Sequence, residues 1–219
     1  MINEKKRITY PKLFWLFMFG SVLGVLLEGF FCLFHYGHWE THVVSVWGPF
    51  CIIYGFGAAG LYIGAVLMEK KNSITQFIVF SLIATGIEYI CGAVLKYGLG
   101  MKAWDYGGKF LSIDGLICFQ MTIIWGLLGV LFSKYAIHYL DKIFNKMEHK
   151  KWKVICSCLS VFMAINLSLT VVAITRWSAR HYGAEPVNRI EIMSDKIYND
   201  EVMEKRFVEW RFIDDDMGK

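Results

Sequence analysis

Charged residues and prolines are scarce in this chain. Only 19% of its 219 residues are charged and 3 are prolines, whereas an average soluble domain is about 25% charged. The low charge excludes an intrinsically disordered chain, which combines high net charge with low hydrophobicity. The scarcity of proline excludes collagen-like and proline-rich low-complexity chains.

Two common motifs are also missing from the sequence. No Gly-x-x-x-x-Gly-Lys-Ser/Thr sequence occurs, so the chain has no nucleotide-binding loop and no ATPase site of its own. The 6 cysteines form no Cys-x-x-Cys pair, so neither a zinc ribbon nor a disulfide framework is indicated. No other catalytic motif is recognisable, and the sequence favours a protein that is not an enzyme.

Long apolar runs dominate the chain instead. It is 56% hydrophobic, and its apolar runs approach the roughly 20 residues with which a helix crosses a bilayer. These runs do not alternate in polarity as the strands of a membrane β-barrel do. We therefore predict an all-α, polytopic transmembrane bundle of five helices in the cell membrane. The predicted helices are Leu13–Phe34, Phe50–Met68, Ile74–Leu95, Leu116–Phe132 and Val154–Ile174.

Basic residues set the predicted orientation, because Lys and Arg are enriched in short cytoplasmic loops. With the N-terminus in the cytoplasm, only Lys96, Lys102 and Lys109 lie in the outer loops between helices. The basic residues that then face inwards are Lys5, Lys6, Arg7, Lys12, Lys70, Lys71, Lys134, Lys142, Lys146, Lys150, Lys151 and Lys153. We therefore predict a cytoplasmic N-terminus and, after five helices, a tail outside the cytoplasm.

The first and third apolar runs each contain one glutamate, Glu28 and Glu88. Both lie roughly 10 Å short of the predicted outer surface, at a rise of about 1.5 Å per residue. The same features follow each glutamate in the same order: Cys32 or Cys91, Tyr36-Gly37 or Tyr97-Gly98, Trp39-Glu40 or Trp104-Asp105, and Gly48 to Cys51 or Gly115 to Cys118. This order indicates a duplicated hairpin, with two parallel repeats related by an axis along the membrane normal.

The repeat predicts how the chain is divided. We expect a cytoplasmic N-terminus (1–12), a first hairpin (13–68), a second hairpin (74–133), a basic cytoplasmic linker (134–153), a fifth transmembrane helix (154–174) and a polar extracytoplasmic tail (175–219). Apolar residues between the charges of the linker favour an amphipathic segment at the anionic inner leaflet. A docking surface for a cytoplasmic partner is the alternative.

The two intramembrane glutamates are the first candidate site. A carboxylate at this depth costs a few kcal/mol to insert, so it must face protein or water and find a partner. One hypothesis is that Glu28 and Glu88 form a paired site for a cation, a proton or a polar substrate group. The other is that each separately makes a local polar contact with loop backbone or an indole N–H.

The predicted outer loops supply two further candidates. The first loop carries His35, His38, Glu40 and His42, and imidazole and carboxylate groups bind Zn²⁺ and other divalent ions. The alternative is a polar loop that forms hydrogen bonds across the mouth of the bundle. The second loop carries Trp104, Asp105 and Tyr106. One interpretation is that the Trp104 and Tyr106 rings lie at the membrane interface. The other is that Asp105 covers the carboxylates as a lid.

These motifs resemble those of a bacterial family. The sequence Gly37-His-Trp-Glu-Thr-His, followed by Trp47-Gly-Pro-Phe-Cys-Ile-Ile-Tyr-Gly55, is similar to the CmpB-like ABC-transporter type IV permeases. Glu88-Tyr89, then Trp104-Asp105-Tyr106 and Gly115-Leu-Ile-Cys118, resemble the same family over about residues 13–135. Leu116 stands where the family pattern has arginine, so no role of that arginine is implied here.

The resemblance implies an integral membrane permease. We expect a permease or transporter subunit with a polar site centred on Glu28 and Glu88, a separate ATPase subunit at the cytoplasmic loops, and a homodimer. Two alternatives stay open: an intramembrane enzyme that modifies a lipid or polyprenyl substrate with a metal at the histidine loop, and a non-transporting assembly protein. Apart from a divalent metal at the histidine loop, no cofactor is indicated. The basic residues set the membrane orientation, so no nucleic-acid binding is expected.

Overall fold

A computed structural model describes residues 8–147 and 149–217, and these residues are mainly helical. The basic residues Lys5, Lys6 and Arg7, which enter the predicted orientation, lie outside the described residues. The helices are α1 (Tyr10–Tyr36), α2 (Ile52–Leu67), α3 (Ser73–Ala93), α4 (Phe119–Leu131), α5 (Ile137–Lys146), α6 (Lys150–His181), α7 (Arg189–Ile197), α8 (Asp200–Arg206) and α9 (Ile213–Met217). Two short strands, β1 (Met101–Lys102) and β2 (Arg211–Phe212), pair antiparallel.

Local sequence signals explain several helix ends. Pro11 lies in the first turn of α1, where its missing N–H is not needed. Gly37 ends α1 with a φ of 77°, and its N–H bonds to the Leu33 carbonyl, as glycine commonly does at helix C-termini. The side chain of Asn72 accepts a hydrogen bond from the Thr75 N–H at the start of α3. The π-helical turns Val94–Gly98 and Phe132–Ala136 prolong α3 and α4.

Four helical stretches are long and apolar enough to cross a membrane, namely Tyr10–Tyr36, Ser73–Gly98, Phe119–Lys146 and Lys150–His181. The shorter apolar helix α2 has 16 residues. That is about 24 Å of helix, against a bilayer core of about 30 Å. Large apolar side chains point outwards, including Phe34 at 84% and Ile74 at 72% exposure, which suits contact with lipid. The prediction of an all-α membrane bundle is confirmed.

The first four helices pack as two hairpins, α1 with α2 and α3 with α4, and α2 lies beside α3. Glycines allow the close approach. A Cβ on Gly20 would lie 2.7 Å from Ala58 Cβ, and a Cβ on Gly129 would overlap Phe80. Small residues at such contacts are typical of transmembrane helix packing. The hairpin pairing agrees with the predicted repeat.

The predicted linker is largely helical in the structure. Helix α4 continues through its π-helical turn into α5, and α6 follows three residues later. Ile137 and Phe144 of α5 are buried in a hydrophobic core that α5 shares with α1, α2, α3 and α6. Asp141 accepts hydrogen bonds from Tyr62 at 2.9 Å and from Lys12 at 3.3 Å. These contacts fasten α5 to the end of the bundle where α1 begins.

At the other end of the bundle lie the loops 37–51 and 99–118 and the tail 182–217; together they are called the loop face. Residues 43–51 fold back against α6, where Asn166 and Thr170 satisfy the backbone of Trp47 and Val46 at 2.9–3.1 Å. Irregular backbone at membrane depth needs such protein partners. The sequence predicts α2 from Phe50, but the helix begins at Ile52 because Phe50 belongs to this folded loop.

The tail packs onto the loop face. Strand β2 pairs with β1, so Phe212 lies opposite Met101. The Arg206 guanidinium donates to the carbonyl of Ser45 at 2.8 Å and to that of Gly48. A buried cluster closes this contact, formed by Val46, Leu95, Met101, Ala173, Trp177, Met203, Phe207, Trp210 and Phe212. The tail thereby contacts loop 37–51 of the first hairpin and loop 99–118 of the second.

Candidate functional site

Glu28 lies half-buried on α1, facing α2. The hydroxyl of Tyr54, in the first turn of α2, donates a hydrogen bond to its carboxylate. The Tyr54 ring fits against Gly24, where an added Cβ would come within 2.6 Å of the tyrosine Cβ. The missing side chain at Gly24 therefore brings the hydroxyl to the glutamate one helical turn away.

Glu88 on α3 is only 6% exposed, and both of its carboxylate oxygens have donors. The Tyr106 hydroxyl, from the loop after β1, donates to Oε1 at 2.9 Å. The indole N–H of Trp125 on α4 donates to Oε2 at 3.3 Å. Hydrogen bonds from neutral donors offset part of the cost of burying a carboxylate.

Aromatic rings connect the two carboxylates. The rings of Tyr54 and Trp125 pack edge to face with centroids 6.1 Å apart, so the donor of Glu28 touches a donor of Glu88. Burial, then the charge of Glu88, raises the pKa of Tyr106, and the charge of Glu28 adds to the shift. The five side chains are called the carboxylate cluster: Glu28, Tyr54, Glu88, Tyr106 and Trp125.

The predicted site residues Trp104 and Asp105 lie beside this cluster and shape its loop. The Trp104 indole donates to the Leu116 carbonyl at 2.9 Å. Asp105 accepts from Lys102 at 2.8 Å and from the Gly107 N–H at 2.7 Å. The hydrogen bond from Lys102, then that from Gly107, lowers the pKa of Asp105. Its carboxylate thus holds the turn that presents Tyr106.

The repeat is visible in the backbone of the loops. Gly48 and Gly115 both adopt a positive φ, 72° and 74°, a conformation that glycine reaches without steric cost. Three residues later Cys51 and Cys118 precede the first residues of α2 and α4. The shared Gly-x-x-Cys sequence therefore marks the same turn into the second helix of each hairpin.

The structure brings together only part of the predicted metal set. His42 Nε2 lies 3.1 Å from Cys32 Sγ and 3.8 Å from a Glu40 oxygen. The other Glu40 oxygen contacts His38 Nε2 at 2.7 Å, and this hydrogen bond raises the pKa of His38. His35 instead stacks on Phe31 at the end of α1.

Some residues of these arrangements could not be anticipated from their motifs. Tyr54 and Trp125 lie inside apolar runs, and only the rotation of α2 and α4 shows that they face the glutamates. Glu209 contacts His42 Nδ1 from the tail, across a sequence separation that local patterns do not cover. The place of Cys32 near these groups could have been anticipated, because it lies four residues from Glu28 and therefore on the same face of α1.

A family model described as "Putative ABC-transporter type IV" matches residues 15–171, which include both hairpins and most of α6. No curated protein and no solved structure matches the chain.

Proposed function

The chain belongs to the putative ABC-transporter type IV family, and with its apolar helices it is a multi-pass membrane protein of transporter type. From that premise we propose that it is a permease subunit whose polar site is the carboxylate cluster. The observation that carries this proposal is the edge-to-face contact of Tyr54 and Trp125, each of which donates to a different intramembrane glutamate.

The chemistry of the cluster favours a positively charged ligand. Two carboxylates supply the formal charge, and the three side chains that donate hydrogen bonds to them carry neutral hydroxyl or indole groups. Ionisable residues in membrane helices commonly mark ion or proton paths. A cation bound at the cluster would replace hydrogen bonds that the aromatic donors now make.

Ligand-induced stabilisation tests this proposal with a panel of simple cations. The purified chain would be melted in detergent with Na⁺, K⁺, Mg²⁺, Ca²⁺, ammonium or guanidinium salts. A ligand present at 100 times its Kd stabilises the folded state by about 2.7 kcal/mol. We expect at least one of these cations to raise the Tm of the wild type, and Glu28→Gln and Glu88→Gln each to reduce that shift strongly.

The matched control is Glu204→Gln, which makes the same chemical change on an exposed residue of α8. It should keep the full shift. The proposal is wrong if the shift persists in both cluster variants, or if none of the cations stabilises the wild type.

Energy and assembly require partners under this proposal. A separate ATPase subunit would bind the end of the bundle opposite the loop face, around residues 68–72 and the start of α6. A second copy of the chain would complete the pathway across the membrane. Copurification of an ATPase with the tagged chain from its own membranes, and a dimer mass in detergent, are the expected results. A monomer without ATPase activity would contradict this assembly.

The proposed orientation places the N-terminus in the cytoplasm and the loop face outside it. The tail contacts both loops of the loop face, 37–51 and 99–118, so one label on the tail reports the side of the whole face. Val187 is 85% exposed in the tail and Lys70 is exposed at the opposite end. We expect an impermeant maleimide to label Val187→Cys in intact cells and Lys70→Cys only after permeabilisation. The reverse pattern would overturn the orientation.

A further inference from the structure

Three groups that bind metals converge where α1 meets the loop face. Cys32 is 2% exposed near the end of α1, and His42 and Glu40 come from the loop that follows. One ligand atom from each lies within 4.8 Å of the others. We propose that Cys32, Glu40 and His42 bind a divalent metal ion of the zinc type, at a site separate from the carboxylate cluster.

The distances between the ligand atoms are close to those of a zinc site. In a tetrahedral zinc site, with bonds of about 2.3 Å to sulfur and about 2.0–2.2 Å to nitrogen and oxygen, adjacent ligand atoms lie about 3.4–3.6 Å apart. The sulfur-to-nitrogen distance of 3.1 Å and the nitrogen-to-oxygen distance of 3.8 Å lie on either side of this value. The third pair, the Cys32 sulfur and a Glu40 oxygen, lies within 4.8 Å.

The groups around the ligands support the same assignment. His42 presents Nε2 to the site, and its Nδ1 contacts the carboxylate of Glu209 from the tail. Metal-binding histidines commonly donate their second ring N–H to a carboxylate, which fixes the ring. Glu40 is held in turn by His38 through its other oxygen, at 2.7 Å. Both non-sulfur ligands are therefore oriented by a second side chain.

The donor set selects the metal. A thiolate, an imidazole and a carboxylate together suit Zn²⁺, whereas Mg²⁺ and Ca²⁺ prefer oxygen ligands alone. Three protein ligands leave one tetrahedral position for water or another small ligand. The ion would join α1 to the first loop directly, and to the tail through Glu209. The site would therefore fasten the loop face together, one helical turn beyond Glu28.

Metal titration of the full chain tests the proposal. The protein in detergent is stripped with a chelator, titrated with Zn²⁺ and desalted, and the bound metal is measured by elemental analysis. We expect about one Zn²⁺ per chain, and at least about a 100-fold loss of affinity in Cys32→Ser and His42→Ala. Glu209→Gln should bind about 10–100 times more weakly, as expected for loss of a partner behind a ligand.

Two controls separate this site from other metal-binding groups. His35→Ala removes an imidazole of the same segment that stacks on Phe31 and is not one of the three proposed ligands. This variant should bind Zn²⁺ normally. Asp214→Asn alters a second grouping, His181 with Asp214 and Asp215, which is exposed; it should also bind normally. Glu88→Gln should keep the zinc, so that failure of the carboxylate cluster and failure of the metal site are distinguishable.

A spectroscopic measurement guards against variants that fail to fold. Co²⁺ bound to the wild type should show a sulfur-to-metal charge-transfer band, and this band should disappear when Zn²⁺ displaces the Co²⁺. The proposal is overturned if the wild type binds no stoichiometric Zn²⁺ or if bound Co²⁺ shows no sulfur band. It is also overturned if Asp214→Asn weakens Zn²⁺ binding while Cys32→Ser and His42→Ala leave it unchanged.

Discussion

Glu28 and Glu88 are the only carboxylates within the predicted membrane helices, and their equal depth predicts a common site. The structure adds the donors that join them, Tyr54, Trp125 and Tyr106. Only Tyr106 could be named from the sequence, because it follows the Trp-Asp motif. An aromatic residue within an apolar helix has no local signal that says which neighbour it faces, so Tyr54 and Trp125 required the packed structure.

Asp195 in α7 is a residue at which pH should control stability. Its carboxylate accepts from the Arg176 guanidinium at 2.7 and 3.0 Å and from Arg180 at 2.6 Å. The hydrogen bonds from Arg176 are the largest cause of its lowered pKa. The contribution to stability is therefore complete above the unfolded value of about 3.9 and is lost as pH falls through the lower folded value.

We predict that Asp195→Asn lowers the free energy of local unfolding of the tail at neutral pH by about 1.5–3 kcal/mol, the range for hydrogen bonds to charged groups. Proteolysis rates of the tail, measured from neutral pH to below about pH 3, should converge for the variant and the wild type at the acidic end. Glu201→Gln breaks an ion pair whose side chains are both 75% exposed, and should change the rates little. Rates for Asp195→Asn that equal those of the wild type at neutral pH would contradict this prediction.

Among the elements, the membrane helices were largely predictable and the tail was not. Apolar runs located α1, α3 and α6 because the bilayer demands long apolar helices. The sequence did not show that α6 continues to His181, that α4 runs on into α5, or that β2 pairs with β1. Those features depend on contacts between distant segments, such as Phe212 with Met101, which no local periodicity encodes.

Helix α2 offers a direct test of glycine-mediated packing. A Cβ on Gly55 would lie 2.7 Å from the Phe17 carbonyl oxygen, whereas no atom of the described residues lies within 4 Å of a Cβ on Gly57. We predict that Gly55→Ala lowers stability by about 1–3 kcal/mol through overpacking. Gly57→Ala, in the same helix, should be neutral or stabilising, since alanine favours helices by up to about 1 kcal/mol over glycine. Thermal melts in detergent measure both, and equal Tm values for the two variants would refute the packing argument.

In the whole molecule, two hairpins bring one glutamate each to a shared aromatic contact, and the tail spans the loops above them. The repeat in the sequence corresponds to the α1–α2 and α3–α4 pairs and to the matched turns at Gly48 and Gly115. The central claim is that Glu28 and Glu88 act as one site.

A double-mutant cycle on cation-induced stabilisation tests this claim most directly. Binding of the stabilising cation is measured in the wild type, Glu28→Gln, Glu88→Gln and the double variant. For one shared site, the double variant should lose no more binding free energy than either single variant, giving a coupling of about 0.5–3 kcal/mol. Losses that add to within about 0.3–0.5 kcal/mol would show two independent carboxylates and contradict the claim.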